Sequence, residues 1–137
     1  MPEDSATPRG GPPRVLIVDD SPTALRLLQA IFDDEYDVVT ASDGIEGLAK
    51  AHQTRPDLVI TDSVMPGMDG FAFLRKLRTN PATDRIPVIM LTAEDPRHAP
   101  QYEDGGPQPD ALLRKSANPE PLMEEVRRAL KKRRLTR

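Results

Sequence analysis

The sequence predicts an α/β fold: a doubly wound, five-stranded parallel sheet with helices on both faces. Three observations predict it. Short apolar runs alternate with segments of helical periodicity. The runs are apolar at consecutive positions, as in strands buried on both faces. Polar residues stand at their carboxyl ends, where open parallel sheets bind ligands.

Residues 1–13, "MPEDSATPRGGPP", are rich in proline and glycine with almost nothing to bury, and are expected to form a disordered tail. "RVLIV" (14–18) is the first strand and runs into Asp19 and Asp20. Ser21 and Pro22 then suit an N-cap and a first helical position, and Ala24, Leu27, Leu28 and Ile31 recur at helical spacing up to about Asp33. "DVVTA" (37–41) is the second strand, followed by a helix from about Gly44 to Gln53. Leu58, Val59 and Ile60 form the third strand, with Asp62 at its exit and the turn residues Pro66, Gly67 and Gly70 beyond. Phe71, Leu74 and Leu77 mark a third helix, and "PVIML" (87–91) is the fourth strand, ending at Thr92. "ALL" (111–113) is a short fifth strand before Lys115. Asn118 caps a last helix in which Leu122, Val126, Ala129 and Leu130 share a face.

The segment 94–110 breaks the alternation. Asp95 and Pro96 could open a helix, but Pro100 falls where an interior proline costs about 3 kcal/mol or more, and Gly105, Gly106, Pro107 and Pro109 follow. A helix between the last two strands is therefore expected to be shortened or lost.

Composition narrows the function classes. A chain of 137 residues is one domain's worth, and without cysteine it has neither disulfides nor thiolate metal sites. No apolar run is long enough to span a bilayer and the N-terminus does not read as a secretory signal, so a soluble, cytoplasmic protein without membrane insertion is expected. Residues 127–137 hold seven of the 19 basic residues and no acid. The rest has 12 basic against 22 acidic residues, or −10, which argues against nucleic-acid binding by the core. The basic end reads as a solvated helix terminus, where cations are favoured.

At the strand ends, Asp19, Asp20 and Asp62 would share one pocket with Thr92 and Lys115. Two carboxylates about 4 Å apart repel by roughly 1 kcal/mol in water and about 4 at an effective dielectric of 20, so the cluster needs a cation. All-oxygen ligands point to Mg²⁺ or Mn²⁺. Carboxylate, metal, hydroxyl and ammonium together describe phosphoryl chemistry with Asp62 as nucleophile. His52, near a helix end, and His98, with no second ligand nearby, are read as bystanders.

"VLIVDDSPT", "DLVITDSVMPGMDG", "VIMLTA" and "LLRKS" resemble, in order and spacing, the signature segments of the receiver domain of two-component response regulators. The resemblance covers about residues 14–134, leaves 135–137 as a basic C-terminal end, and implies a flavodoxin-like fold. It implies Asp62 as phosphoacceptor. Asp20, Asp62 and the backbone carbonyl of Val64 would ligate Mg²⁺, with Asp19 acting through bound water. Thr92 and Lys115 would bind phosphoryl oxygens. The implied donor is a histidine kinase or histidine phosphotransfer protein, with helical faces as partner surfaces. The module would be a monomer or weak dimer that passes its signal to an unidentified output protein and is not an enzyme. No DNA-binding or catalytic output domain reads after the last helix, so output is expected to run through protein contacts or to lie outside this chain.

Three positions depart from the family pattern: Ser116 follows Lys115 where proline is usual, Leu112 stands where a switch aromatic is usual, and 94–110 is irregular. A non-proline cis bond costs about 2.5–4 kcal/mol, so a trans bond is expected before Ser116. Two other readings compete. A metal-dependent phosphohydrolase resembling the haloacid dehalogenase group wants an acid two residues after its nucleophile, but Ser21 and Val64 occupy those positions. A degenerate receiver used only for docking is favoured by 94–110 and opposed by the intact pocket.

Overall fold

The computed structural model describes residues 11–95 and 106–136. Among them the order is β1 (Arg14–Val18), α1 (Pro22–Phe32), β2 (Asp37–Ala41), α2 (Gly44–Thr54), β3 (Leu58–Asp62), α3 (Gly70–Arg78), β4 (Val88–Thr92), β5 (Ala111–Arg114) and α4 (Glu120–Thr136). The strands form one parallel sheet in the order β2-β1-β3-β4-β5, the doubly wound arrangement expected. Asp62 and Thr92 are still paired strand residues, so β3 reaches two residues and β4 one residue beyond their apolar runs. The expected change at 94–110 falls largely on residues 96–105, which lie outside the described residues, as do His98 and residues 1–10 of the expected tail. Among the described residues no helix is long and apolar enough to cross a membrane.

Alternation along the strands divides the core in two. Leu16, Val18, Val59, Val88 and Met90 face one side with Phe73, Leu74 and Leu77 of α3. Val15, Ile17, Leu58, Ile60, Ile89 and Leu91 face the other with Phe32 of α1 and Leu122, Val126 and Leu130 of α4. Each such side chain contributes roughly 1.5–3 kcal/mol on burial, which is why β3 and β4 can be buried along their whole length. Helix starts follow local chemistry. The Ser21 side chain accepts from the Ala24 N–H, Asp43 from Glu46, Asp69 from Phe71 and Ala72, and Asn118 from Glu120.

The amino ends of the central strands carry a device repeated twice. Asp57 donates its N–H to the Arg14 carbonyl (2.8 Å), and its carboxylate accepts the Arg14 N–H (2.8 Å). Asp110 does the same to Val88, at 2.8 and 2.7 Å. Each carboxylate also meets an arginine: Arg78 lies 3.1 Å from Asp110, and Arg133 of α4 lies 3.9 Å from Asp57.

Asp57→Ala is expected to lower unfolding free energy by about 1–3 kcal/mol in urea titrations, because it strands a donor at the start of a central strand. Asp57→Asn keeps an acceptor and should lose less.

Candidate functional site

Register builds the site. Val18 pairs with Thr61, so the next residues, Asp19 and Asp62, emerge together from β1 and β3. Asp62 pairs with Leu91, which puts Thr92 one step further along β4. The Lys115 N–H donates to the Thr92 carbonyl (2.7 Å) and carries the residue after β5 to the same edge. The five side chains picked out in the sequence thus lie at one end of the sheet.

The carboxylates of Asp19, Asp20 and Asp62 offer oxygens that all lie within 4.8 Å of one another. Asp19 and Asp62 are buried, at 2% and 7% exposure, and Asp20 is exposed. The Lys115 ammonium lies 3.1 Å from Asp62 and 3.8 Å from Asp19, bridging the two buried acids. Burial pushes the Asp19 carboxyl above the usual carboxylate range. The Ser21 N–H on its Oδ1 (2.9 Å) opposes the shift, Asp62 and Asp20 add to it, and Lys115 opposes it. Buried Thr92 accepts the Glu94 N–H on its hydroxyl oxygen (3.2 Å), which leaves its proton directed elsewhere. Three hard, anionic oxygen donors held by two strand ends suit a hard divalent cation. Val64 enters only through its backbone: its side chain is 73% exposed, and its N–H lies 3.4 Å from Asp62 Oδ1.

The turn after Asp62 is shaped by glycine at two places. Gly67 has φ of 80°, the left-handed region. Gly70 opens α3 directly against the strand end and donates its N–H to the Ser63 carbonyl (3.0 Å). A Cβ at Gly70 would fall on the Asp62 carbonyl oxygen and within 3.0 Å of Ser63 Cα, so backbone touches backbone beside the nucleophile candidate.

Sequence reading missed some neighbours. A largely apolar hollow of about 310 Å³ between α1 and α4 opens beside Asp19 and Lys115, and Leu27, which periodicity assigned to the buried face, is 62% exposed on its lining. Ser116 sits after a trans peptide, and its hydroxyl accepts the Asn118 N–H (3.0 Å). Leu112 packs against the core cluster under α3. His52 is exposed on α2.

Comparison with known proteins gives the family and the fold. The family model for the response regulator receiver domain matches residues 15–127. Over 85 residues the chain is 48% identical to the response regulator PleD of Caulobacter vibrioides, covering 61% of this chain but 19% of that protein. It therefore spans only a fraction of that relative's length. The chemotaxis protein CheY4 of Vibrio cholerae superimposes with a TM-score of 0.73 at 33% identity, over 87% of this chain and 99% of that one. The receiver domain of sensor histidine kinase PA1611 from Pseudomonas aeruginosa, solved with a magnesium ion coordinated in its active site cleft, gives 0.76 at 25% identity, over 88% and 99%.

Gly70→Ala is expected to cost about 1–3 kcal/mol by forcing the α3 backbone away from the strand end, against about 1–2 for Gly67→Ala from its positive φ alone; denaturation midpoints rank the two. A carboxyl with a raised folded pKa holds its proton more tightly folded than unfolded. The metal-free protein therefore gains stability from Asp19 as pH falls through the raised value towards the ordinary aspartate range. Asp19→Asn should raise stability at neutral pH in EDTA and flatten that gain.

Proposed function

Because the chain belongs to the response regulator receiver domain family, we propose that it takes a phosphoryl group onto Asp62 from a histidine kinase or histidine phosphotransfer protein and signals through protein contacts. The observation that carries this reading is the Lys115–Asp62 ion pair at 3.1 Å, set among Asp19, Asp20 and Thr92 at one sheet edge. An Asp62 carboxylate oxygen forms the new bond to phosphorus as the bond from phosphorus to the donor imidazole breaks, and the imidazole leaves with a proton from solvent. Lys115 exchanges its contact with Asp62 for one with a phosphoryl oxygen, so the same ammonium serves both states. The Thr92 hydroxyl, whose oxygen already accepts from Glu94, donates its proton to another.

Asp19, Asp20, Asp62 and the Val64 carbonyl would hold Mg²⁺, with Mn²⁺ as second choice. The ion supplies neutralisation of phosphoryl charge when bound. The magnesium in the cleft of the PA1611 receiver domain supports this assignment. Val64 and Ser21 leave no second acid two residues after either buried aspartate, which supports a signalling module over a phosphohydrolase. Asp62 is 7% exposed at the strand ends, so a donor, small or carried by a protein, reaches it from that edge, and the neighbouring α1–α4 hollow offers a partner protein an apolar seat. We place it in the cytoplasm as a monomer or weak dimer.

Incubation with acetyl phosphate and Mg²⁺ tests the assignment. The wild type should form an acid-stable, base-labile acyl-phosphate detected as an 80 Da mass increase, a value on the order expected for one added phosphoryl group. Asp62→Asn should form none while keeping its fold, and Asp20→Ala should lose the magnesium-dependent NMR shifts around residues 19–20 and 62. Labelling of the Asn variant at the same site would overturn the assignment.

A further inference from the structure

A second hollow lies at the opposite edge of the sheet from Asp62. It measures about 230 Å³, between the amino ends of β4 and β5 and the later turns of α4, and its lining includes Arg85, Arg128, Lys132 and Arg133 with apolar Ile89 and Ala129. Two carboxylates also line it, and both are engaged. Asp110 accepts the Val88 N–H and pairs with Arg78, and Glu125 pairs with Arg128 at 2.6 Å. Arg133 is held in place: its side chain is 16% exposed, donates to the Arg85 carbonyl at 3.1 Å and lies 3.9 Å from Asp57. Cations in the last turn of a helix answer its dipole. That does not account for Arg85, which comes from the connection between α3 and β4 and meets the α4 cations over the same hollow.

We propose that this hollow binds a phosphate dianion, carried on a small organic molecule or free. Four cations against two carboxylates leave a surplus that a dianion matches and a single carboxylate does not. Guanidinium forks fit phosphate oxygens in pairs, as Arg85 can supply, while Arg133, engaged by the Arg85 carbonyl and Asp57, holds that wall of the hollow in place. Ile89 and Ala129 give an organic body an apolar surface. The site is independent of Asp62, since it is formed at the other ends of the strands.

The test is an NMR titration of the full chain at constant ionic strength with inorganic phosphate, adenosine monophosphate and acetate. Saturable shifts of the amides at 85, 111 and 128–133 with both phosphate probes, and at least tenfold weaker binding of acetate, are expected. Tighter binding of the nucleotide assigns the site to an organic phosphate, and equal affinities assign it to the free ion. The exposed pair of changes Arg85→Gln and Lys132→Gln should weaken phosphate at least fivefold while acyl-phosphate formation at Asp62 is unchanged. Linear, unsaturable shifts, equal binding of acetate, or shifts centred on Lys115 would overturn the proposal, as would wild-type affinity in the double variant.

Discussion

The structure depends on one electrostatic constraint: two buried carboxylates emerge side by side from adjacent strands and are held there by a single ammonium. Asp19 and Asp62 cannot separate, because the pairing of Val18 with Thr61 fixes where both strands end. Lys115 is brought to them by its own backbone bond to Thr92. The energy that keeps like charges together comes from elsewhere, from strands apolar on both faces and covered by α1 and α4 on one side and α2 and α3 on the other. A less thoroughly buried sheet could relieve the repulsion by fraying at this edge.

Much of this was legible in the sequence because the signals were local. An apolar run followed by Asp-Asp-Ser-Pro reads as a strand, an acidic exit and a capped helix, and each part stands where expected. The site residues were legible because strand ends in a parallel sheet converge, so position along the chain carries position in space. Asp57 and Asp110 were not legible as a pair. A carboxylate just before a strand has no periodicity, and its partner N–H belongs to a neighbouring strand 43 residues away for Asp57 and 22 for Asp110. The ends of β3 and β4 were also understated, since Thr61, Asp62 and Thr92 are polar yet still paired in the sheet.

The departures from the family pattern have structural answers of their own. Ser116 replaces a rigid ring by a hydroxyl that accepts the Asn118 N–H, and Asn118 in turn accepts from Glu120. The approach to α4 is thereby built from a relay of side-chain turns. Leu112 commits its side chain to the core cluster beneath α3 and carries no polar tip that could exchange contacts with solvent. Its aliphatic character makes this part of β5 a packing element, while Thr92 is joined to β5 by its pairing with Arg114.

The twin aspartate clasps also determine how the sheet can deform. At its amino edge β1 is pinned to Asp57 and β4 to Asp110, each by two short bonds, while at the opposite edge the chain leaves the strands into turns. That is the mechanics of a cantilever. A beam fixed at one end answers a load with its largest displacement at the free end and almost none at the root. A load at the tips of β1, β3 and β4 would thus act at the end of the sheet farthest from the clasps, with the clasped edge as its stationary frame.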